Sequence, residues 1–175
     1  VEYYERMLRE LDERIARGVG AMTPQGRFCR GKWESAATGR KLWTAPCHEG
    51  FNAPADVFVV DGLVWCSSVP NLPSTDFSVA RDLHTGEVQR RIETDAAFTT
   101  THHHRCYRNK ATVRYLLLGR DGIEFVDPKQ GTGSGNWWVR GTCQYGVMPA
   151  NGLLYVPPTS CGCYSEAALR GFWAY

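Results

Sequence analysis

The stretch Ala80-Arg81-Asp82-Leu83-His84-Thr85-Gly86-Glu87-Val88 decides the fold, because it places an acidic residue and a Thr-Gly pair between two strand-like runs. A related stretch, Ala37-Thr38-Gly39-Arg40-Lys41-Leu42-Trp43, has its Thr-Gly pair 47 positions earlier. A more divergent copy, Val126-Asp127-Pro128-Lys129-Gln130-Gly131, follows after another 45 positions. The chain therefore contains a repeat whose period is about 45 residues.

The sequence after Gly20 has the pattern of an all-β protein, because short apolar runs alternate with turn residues. The dipeptides Asp61-Gly62, Asp121-Gly122 and Asn151-Gly152 are typical of tight hairpin turns. Four short strands in each unit of about 45 residues indicate a β-propeller blade. The predicted strands are 56–60, 63–67, 77–82, 88–93, 114–118, 122–126, 136–139 and 153–156.

The first 20 residues differ from the rest and predict one amphipathic helix over residues 2–17. Its apolar stripe is made by Tyr4, Leu8, Leu11 and Ile15, at helical spacing. Acidic residues precede basic ones by four positions along the polar face, which is the stabilising order. The sequence thus divides into a helix over residues 1–20 and blades over residues 21–175.

Composition excludes several functional classes. The 175 residues carry a net charge of +2, with 43% hydrophobic and 22% charged residues, so a folded protein without nucleic-acid binding is expected. The longest aliphatic or aromatic run is four residues, Val57 to Val60, so no membrane span is expected. The charged start of the chain does not resemble a secretory signal.

The stretches 80–88 and 36–43 resemble the blade motif Asp-x-x-Thr-Gly-x-x-x-Trp of quinoprotein-like propellers, the pyrroloquinoline-quinone-like (PQQ-like) repeat group. The first stretch matches its Asp-x-x-Thr-Gly part and the second its Thr-Gly-x-x-x-Trp part. Further segments, at 103–108, 138–143, 145–152, 157–164 and 169–172, are similar to the C-terminal part of PQQ-like repeat proteins of planctomycete-type bacteria. The resemblance implies rings of seven or eight blades, whereas residues 21–175 supply about 3.4 blades. We therefore expect an incomplete ring, completed by a remaining propeller chain or by another protein partner.

The same resemblance does not extend to the quinone. Dehydrogenases of the group carry adjacent cysteines over the quinone and an acidic calcium site, and this sequence has neither a Cys-Cys dipeptide nor such an acidic cluster. The resemblance therefore implies the fold and leaves bound PQQ disfavoured. It also favours an extracytoplasmic, periplasmic location.

The densest group of chemically versatile residues lies between Thr99 and Arg108. In a strand, His102, His104 and Cys106 would share one face, and this set suits zinc or copper. Cys161 and Cys163 have the same spacing and would complete a metal site. The alternatives are that the histidines hydrogen-bond within and between blades, and that the cysteines are buried or form disulfides. With seven cysteines, at least one stays outside any intramolecular disulfide.

Two other motifs give predictions about a turn and about a ligand. The glycine-rich residues 131–135 predict a flexible turn between strands rather than a phosphate loop, because no helix follows them. Trp137 and Trp138 would point to opposite faces of a strand, so that an exposed tryptophan suits a carbohydrate or peptide ligand.

The sequence as a whole favours a non-catalytic β-propeller module for binding or assembly, because no complete catalytic set is visible. The alternative is a metal- or quinone-dependent oxidoreductase that uses the face of His102, His104 and Cys106 together with Cys161 and Cys163.

Overall fold

The computed structural model describes residues 21–23, 26–28, 30–47, 49–50, 53–66, 77–92, 107–119, 122–162, 169 and 171–174. These residues form β-strands and turns and include no helix, so the all-β prediction is confirmed for this part of the chain. No membrane-spanning helix is found among them. The predicted amphipathic helix lies outside the described residues.

The strands follow the chain in seventeen short segments. The first half comprises β1 (Ala21–Thr23), β2 (Gly26–Phe28), β3 (Arg30–Glu34), β4 (Lys41–Pro46), β5 (Glu49–Gly50), β6 (Ala53–Ala55), β7 (Val57–Val60) and β8 (Leu63–Cys66). The second half comprises β9 (Val79–Asp82), β10 (Val88–Arg91), β11 (Lys110–Ala111), β12 (Leu116–Leu118), β13 (Ile123–Asp127), β14 (Thr132–Asn136), β15 (Met148–Ala150), β16 (Leu153–Val156) and β17 (Trp173–Ala174).

Four antiparallel sheets carry most of the structure. We call β3–β4 the first sheet, β7–β8–β9–β10 the second, β11–β12–β13–β14 the third and β15–β16–β17 the end sheet. In each, strands that follow one another in sequence are hydrogen-bonded neighbours. Two smaller pairs, β1–β2 and β5–β6, precede the second sheet in the chain. The second and third sheets each contain four strands, as the repeat predicts.

The repeated sequence motif forms the same turn in each of the first three sheets. The amides of Gly39, Gly86 and Gly131 donate to the carbonyls of Ser35, Asp82 and Asp127, at 2.7, 3.0 and 2.9 Å. All three glycines have positive φ, between 68° and 75°, a conformation that costs glycine little and other residues more. The turn thus explains why the glycine recurs at this period.

The acidic residue of the motif closes two of these turns. One carboxylate oxygen of Asp82 accepts hydrogen bonds from the amides of His84 and Thr85, both at 2.8 Å. Asp127 accepts from the amides of Lys129 and Gln130, at 2.8 and 3.1 Å. Amides that point at the charged form favour it, led by Thr85 at Asp82 and by Gln130 at Asp127, and they lower the pKa of both carboxyl groups.

The second and third repeat turns are also held by the preceding sheet. Trp43 lies four positions after Gly39, and its indole Nε1 donates to the carbonyl of Leu83 at 3.0 Å. Arg90 lies four positions after Gly86, and its Nη1 donates to the carbonyl of Pro128 at 2.9 Å. These two contacts, which we call the clasps, join equivalent positions of successive sheets although the donor side chains differ.

Three apolar clusters fill the spaces between successive sheets. Residues of the first and second sheets meet in Trp43, Ala45 and Val64. The second and third sheets share a core of Val60, Trp65, Phe77, Ala80, Ile92, Leu116, Leu118 and Val126. The third and end sheets share Leu117, Ile123, Val139, Val147, Leu154 and Val156. Alternate residues of β12 serve different clusters, so the third sheet packs on both of its faces.

One predicted strand is wrong, and a predicted turn is a strand. The glycine-rich residues 132–136 form β14, paired with β13 from Asp127↔Thr132 to Ile123↔Asn136, whereas 137–140 are irregular. The reason is that the repeat turn ends at Gly131 and sets the next residues in register, and the backbone ladder needs no side chains. Because Trp137 and Trp138 are not in a strand, they do not alternate, and both are exposed, by 48% and 72%.

Two of the three predicted hairpin turns lie among the described residues. Asp61-Gly62 joins β7 to β8, and Asn151-Gly152 joins β15 to β16. All four residues have positive φ, between 52° and 76°, as a tight hairpin of this kind requires. Both hairpins are therefore confirmed, whereas Asp121 lies outside the described residues.

Candidate functional site at the connection edge

The antiparallel order brings the longer connections to one edge of the sheets. Strands β7, β11 and β15 begin at this edge, after Asp56, Asn109 and Val147, and β8 and β16 end there. We call it the connection edge, and the opposite edge, which holds the hairpins and repeat turns, the turn edge. Contacts between the second and third sheets join like edges. Asp56 contacts Asn109 at the connection edge, and Lys129 contacts Asp61, at 3.2 Å, at the turn edge.

Asp56 is a buried and tightly bound carboxylate of the connection edge. Its side chain is only 3% exposed, and one oxygen accepts from the amide and the Nδ2 of Asn109, at 2.7 and 3.0 Å. The other oxygen forms an ion pair with Nε of Arg108. Buried carboxylates are stable only when paired in this manner, so Asp56 joins the second sheet to the third.

Tyr107 forms a second polar anchor, and it directly follows Cys106 in the sequence. The side chain is buried, and its hydroxyl donates to the carbonyl of Gly122 at 2.6 Å. A Cβ at Gly119 would lie 2.2 Å from the ring, and one at Gly141 would lie 3.0 Å from it. Gly119 must therefore be glycine for the ring to fit, whereas a Cβ at Gly141 would first meet the backbone of Gly146, at 2.7 Å.

Two side chains attach the connection 137–147 to residues 157–162. Arg140 is 3% exposed, and its Nη2 donates to the carbonyl of Cys161 at 2.8 Å. The hydroxyl of Thr142 lies 3.2 Å from the carbonyl oxygens of both Pro157 and Pro158. Nε of Arg140 is buried without a hydrogen-bond partner in the described part of the chain.

Lys110 joins the third sheet to the connection 137–147 at the same edge. Its Nζ donates to the carbonyl of Tyr145 at 3.1 Å. Partial burial disfavours the charged ammonium and lowers the pKa of Lys110, while the nearby carboxylate of Asp56 opposes this shift. The basic residues of this edge therefore hold backbone carbonyls and one carboxylate in place.

Only one of the five predicted metal ligands falls among the described residues. Cys161 is half-buried, and its amide donates to Oγ1 of Thr159 at 3.3 Å. His102, His104, Cys106 and Cys163 lie outside the described residues. Among residues that are described, no group of three or more His, Cys, Asp or Glu side chains is placed to hold a metal ion. The metal site therefore stays a prediction.

The described residues that flank the two predicted segments are linked through a third segment, the connection 137–147. Tyr107, which follows Cys106, lies against Gly141, and the neighbouring Arg140 donates to Cys161. Both segments are thus connected to the same edge through two contacts. Cys143 lies in the same connection, two positions after Gly141.

Sequence reasoning missed Asp56, Arg108, Asn109 and Arg140 as anchors of this edge. The one signal present is a polar residue directly before an apolar first strand, which occurs at Asp56 but not at Asn109, since Lys110 follows Asn109. At the turn edge the structure has an open groove of about 380 Å³ between the second and third sheets. It is lined by Val59, Val60, Asp61, Ala111, Thr112 and Val113.

Comparison with known proteins adds no relative. No family model, no curated protein and no solved structure matches this chain.

Proposed function

We propose that this chain is a non-catalytic β-propeller module of the PQQ-like repeat type. It binds and assembles with other protein chains in a larger ring or oligomer. The observation that carries the proposal is the repetition of the clasp, from Trp43 to Leu83 and from Arg90 to Pro128. Equivalent contacts between successive sheets are what a stack of propeller blades requires, because each blade contacts only its neighbours.

The polar residues of the connection edge support a scaffolding role. Asp56, Tyr107, Arg140 and Lys110 all make hydrogen bonds that join one sheet or connection to another. A general acid or base must instead reach a substrate with its reactive atom. We therefore assign these four residues to holding the blades together. We assign ligand binding to the exposed residues around them.

A carbohydrate or peptide is the ligand class that the exposed aromatic side chains favour. Trp137, Trp138 and Tyr145 are exposed by 48%, 72% and 74%, and all three belong to the connection 137–147. Flat aromatic faces with a polar tip suit sugars and extended peptides. Soluble oligosaccharides and peptides can be tested by tryptophan fluorescence, with Trp138→Ala expected to abolish a response that the wild type gives.

The test of the assembly function is the native mass of the purified chain, together with its metal and quinone content. We expect a particle heavier than one chain and less than one metal ion or quinone per ten chains. A strictly monomeric particle that retains one metal or quinone per chain would overturn the proposal.

The contact of Tyr107 with Gly141, and of Arg140 with Cys161, favours a second candidate, the metal-dependent oxidoreductase. We propose that zinc or copper would be held by His102, His104, Cys106, Cys161 and Cys163. Purification in reducing buffer, followed by addition of zinc or copper, tests this. One ion per chain in the wild type, lost in both His104→Ala and Cys161→Ser, would support it, whereas equal binding by all three proteins would count against it.

A further inference from the structure

Two buried cysteines lie at the ends of strands that belong to neighbouring sheets. Cys47 directly follows β4 of the first sheet, and Cys66 is the last residue of β8 in the second sheet. Each residue is only 3% exposed. The two are 19 positions apart in the sequence, and neither is among the predicted metal ligands.

The packing of the first sheet on the second determines which way both cysteines point. Ala45 of β4 and Val64 of β8 belong to the same apolar cluster between these sheets. Cys47 lies two positions after Ala45, and Cys66 lies two positions after Val64, so each cysteine points the same way as that neighbour. Because β4 and β8 both begin at the turn edge, the next step along both strands brings Cys47 and Cys66 into the same interface.

One hydrogen bond shows how near the two residues are. Sγ of Cys66 donates to the carbonyl oxygen of Pro46 at 3.6 Å. A carbonyl oxygen lies roughly 2.8 Å from Cα of the next residue, so Sγ of Cys66 lies within about 6.5 Å of Cα of Cys47. In a disulfide these two atoms are roughly 4 Å apart, so rotation of the two side chains has at most about 2–3 Å to close.

We propose that Cys47 and Cys66 form a disulfide that links the first sheet to the second. The oxidant is a low-molecular-weight disulfide such as glutathione disulfide. One cysteine loses its proton, and its sulfur attacks the oxidant, forms a mixed disulfide and releases one molecule of glutathione. The sulfur of the second cysteine then displaces the other glutathione. Two protons and two electrons thus pass from the cysteine pair to two molecules of reduced glutathione.

The burial of both sulfur atoms decides when the bond forms. In the folded chain the two sheets cover Cys47 and Cys66, so a molecule of the size of glutathione disulfide does not reach them. The exchange therefore takes place while the sheets assemble, and the finished bond is shielded from reductants. The bond closes the segment from β5 to β8, and closing such a loop restricts the unfolded chain.

The test is refolding of the full chain from urea, once with a mixture of reduced and oxidised glutathione and once with excess dithiothreitol. Alkylation in denaturant and peptide mass mapping then locate the bond. We expect linked peptides containing Cys47 and Cys66 only after oxidising refolding, and a thermal midpoint about 5–10 °C above that of the reduced chain. Dithiothreitol should break the bond in urea but not in the folded chain.

Three variants provide the controls. Cys47→Ala and Cys66→Ala each remove one sulfur atom, and each should abolish the rise in thermal midpoint that oxidising refolding gives. Cys143→Ala removes a cysteine of the connection 137–147 and should leave the linked peptides and the rise unchanged. The mapping of the wild type decides the question even if one of the variants does not fold.

Three results would overturn the inference. The first is alkylation of both Cys47 and Cys66 after oxidising refolding of the wild type. The second is a bond from either residue to a different cysteine. The third is a bond between the two that leaves the thermal midpoint unchanged, since a bond that fits the packed sheets must stabilise them. The assembly proposal is tested separately, by the native mass of the chain.

Discussion

The indole Nε1 of Trp43 donates to the main-chain carbonyl of Leu83 at 3.0 Å, while a Cβ at Gly86 would lie 2.5 Å from the same ring. One side chain thus holds the turn of the next sheet through a hydrogen bond and through close packing. Arg90 makes the equivalent hydrogen bond to Pro128. The contribution of each part can be measured separately.

Removal of the Trp43 hydrogen bond should cost less than removal of its ring. Trp43→Phe keeps an aromatic ring over Gly86 and should lower the free energy of unfolding by about 0.5–1.5 kcal/mol. Trp43→Ala also removes buried apolar surface and should lower it by about 3–5 kcal/mol. Urea denaturation measures both. Similar losses in the two variants would show that the hydrogen bond, rather than packing, dominates this clasp.

The stabilising effect of the Arg90 clasp should depend on the position of this arginine in β10. Arg90→Met removes the hydrogen bond to Pro128 and should cost about 1 kcal/mol. Arg91→Met, at the neighbouring exposed position, is the matched control and should change stability by less than about 0.5 kcal/mol. If the two variants have equal urea midpoints, the Arg90 clasp does not contribute to stability.

The glycines of the repeat turns should tolerate alanine to different degrees. Gly39 has a φ of 68° and open space around a Cβ, so Gly39→Ala should pay only the backbone cost, about 1–2 kcal/mol. Gly86→Ala, with a φ of 75°, must also displace the Trp43 ring, so its loss should be larger. Thermal unfolding of the two variants, at one protein concentration, provides the comparison. A smaller loss at Gly86 than at Gly39 would contradict the packing described above.

Loss of the Asp56 carboxylate should destabilise the protein more than loss of the exposed ion pair at the turn edge. Asp56→Ala leaves the buried amide of Asn109 without its acceptor and should cost about 1–3 kcal/mol. Arg108 is 45% exposed, so its ion pair adds little to this figure. Lys129→Met removes the exposed pair with Asp61 and should cost at most about 1 kcal/mol. Equal effects of the two changes on the urea midpoint would refute the anchoring role.

The repeat turns should make stability depend on acid pH. The pKa values of Asp82 and Asp127 are lowered from 3.8, so near this pH the unfolded chain binds more protons than the folded one. Their contribution is therefore complete above about pH 4–5 and is lost as the pH falls through the lowered values. Asp82→Asn combined with Asp127→Asn should reduce the fall in thermal midpoint between neutral pH and pH 2. An unchanged fall would mean that other carboxyl groups cause the acid sensitivity.

The fold was predictable where the constraint is local. Gly39, Gly86 and Gly131 recur because each turn needs a positive φ, and Asp61-Gly62 and Asn151-Gly152 form hairpins for the same reason. Strand β14 was missed because its glycines have no side-chain pattern, although their backbone pairs fully with β13. Periodicity of side chains cannot reveal a strand whose register is set by the preceding turn.

The anchors between sheets were not predictable because they join distant residues. Asp56 and Asn109 are 53 positions apart, and Trp43 and Leu83 are 40 apart. Which polar residue finds which partner depends on how successive sheets stack, and a single sequence does not specify that spacing. The metal-site prediction rests on alternation within residues 102–106 and on the matching spacing of Cys161 and Cys163, and its residues other than Cys161 lie outside the described residues.

The acceptor of each clasp is a main-chain carbonyl, which every amino acid supplies. A tryptophan and an arginine can therefore perform the same task, and the turn that receives them can begin with leucine or proline at the accepting position. The residues of the repeat motif can therefore change beyond recognition in the sequence while the spacing between successive repeats is kept. Searches for further units of this kind should score the reach of a donor four residues beyond the turn glycine, rather than the identity of the residue that provides it.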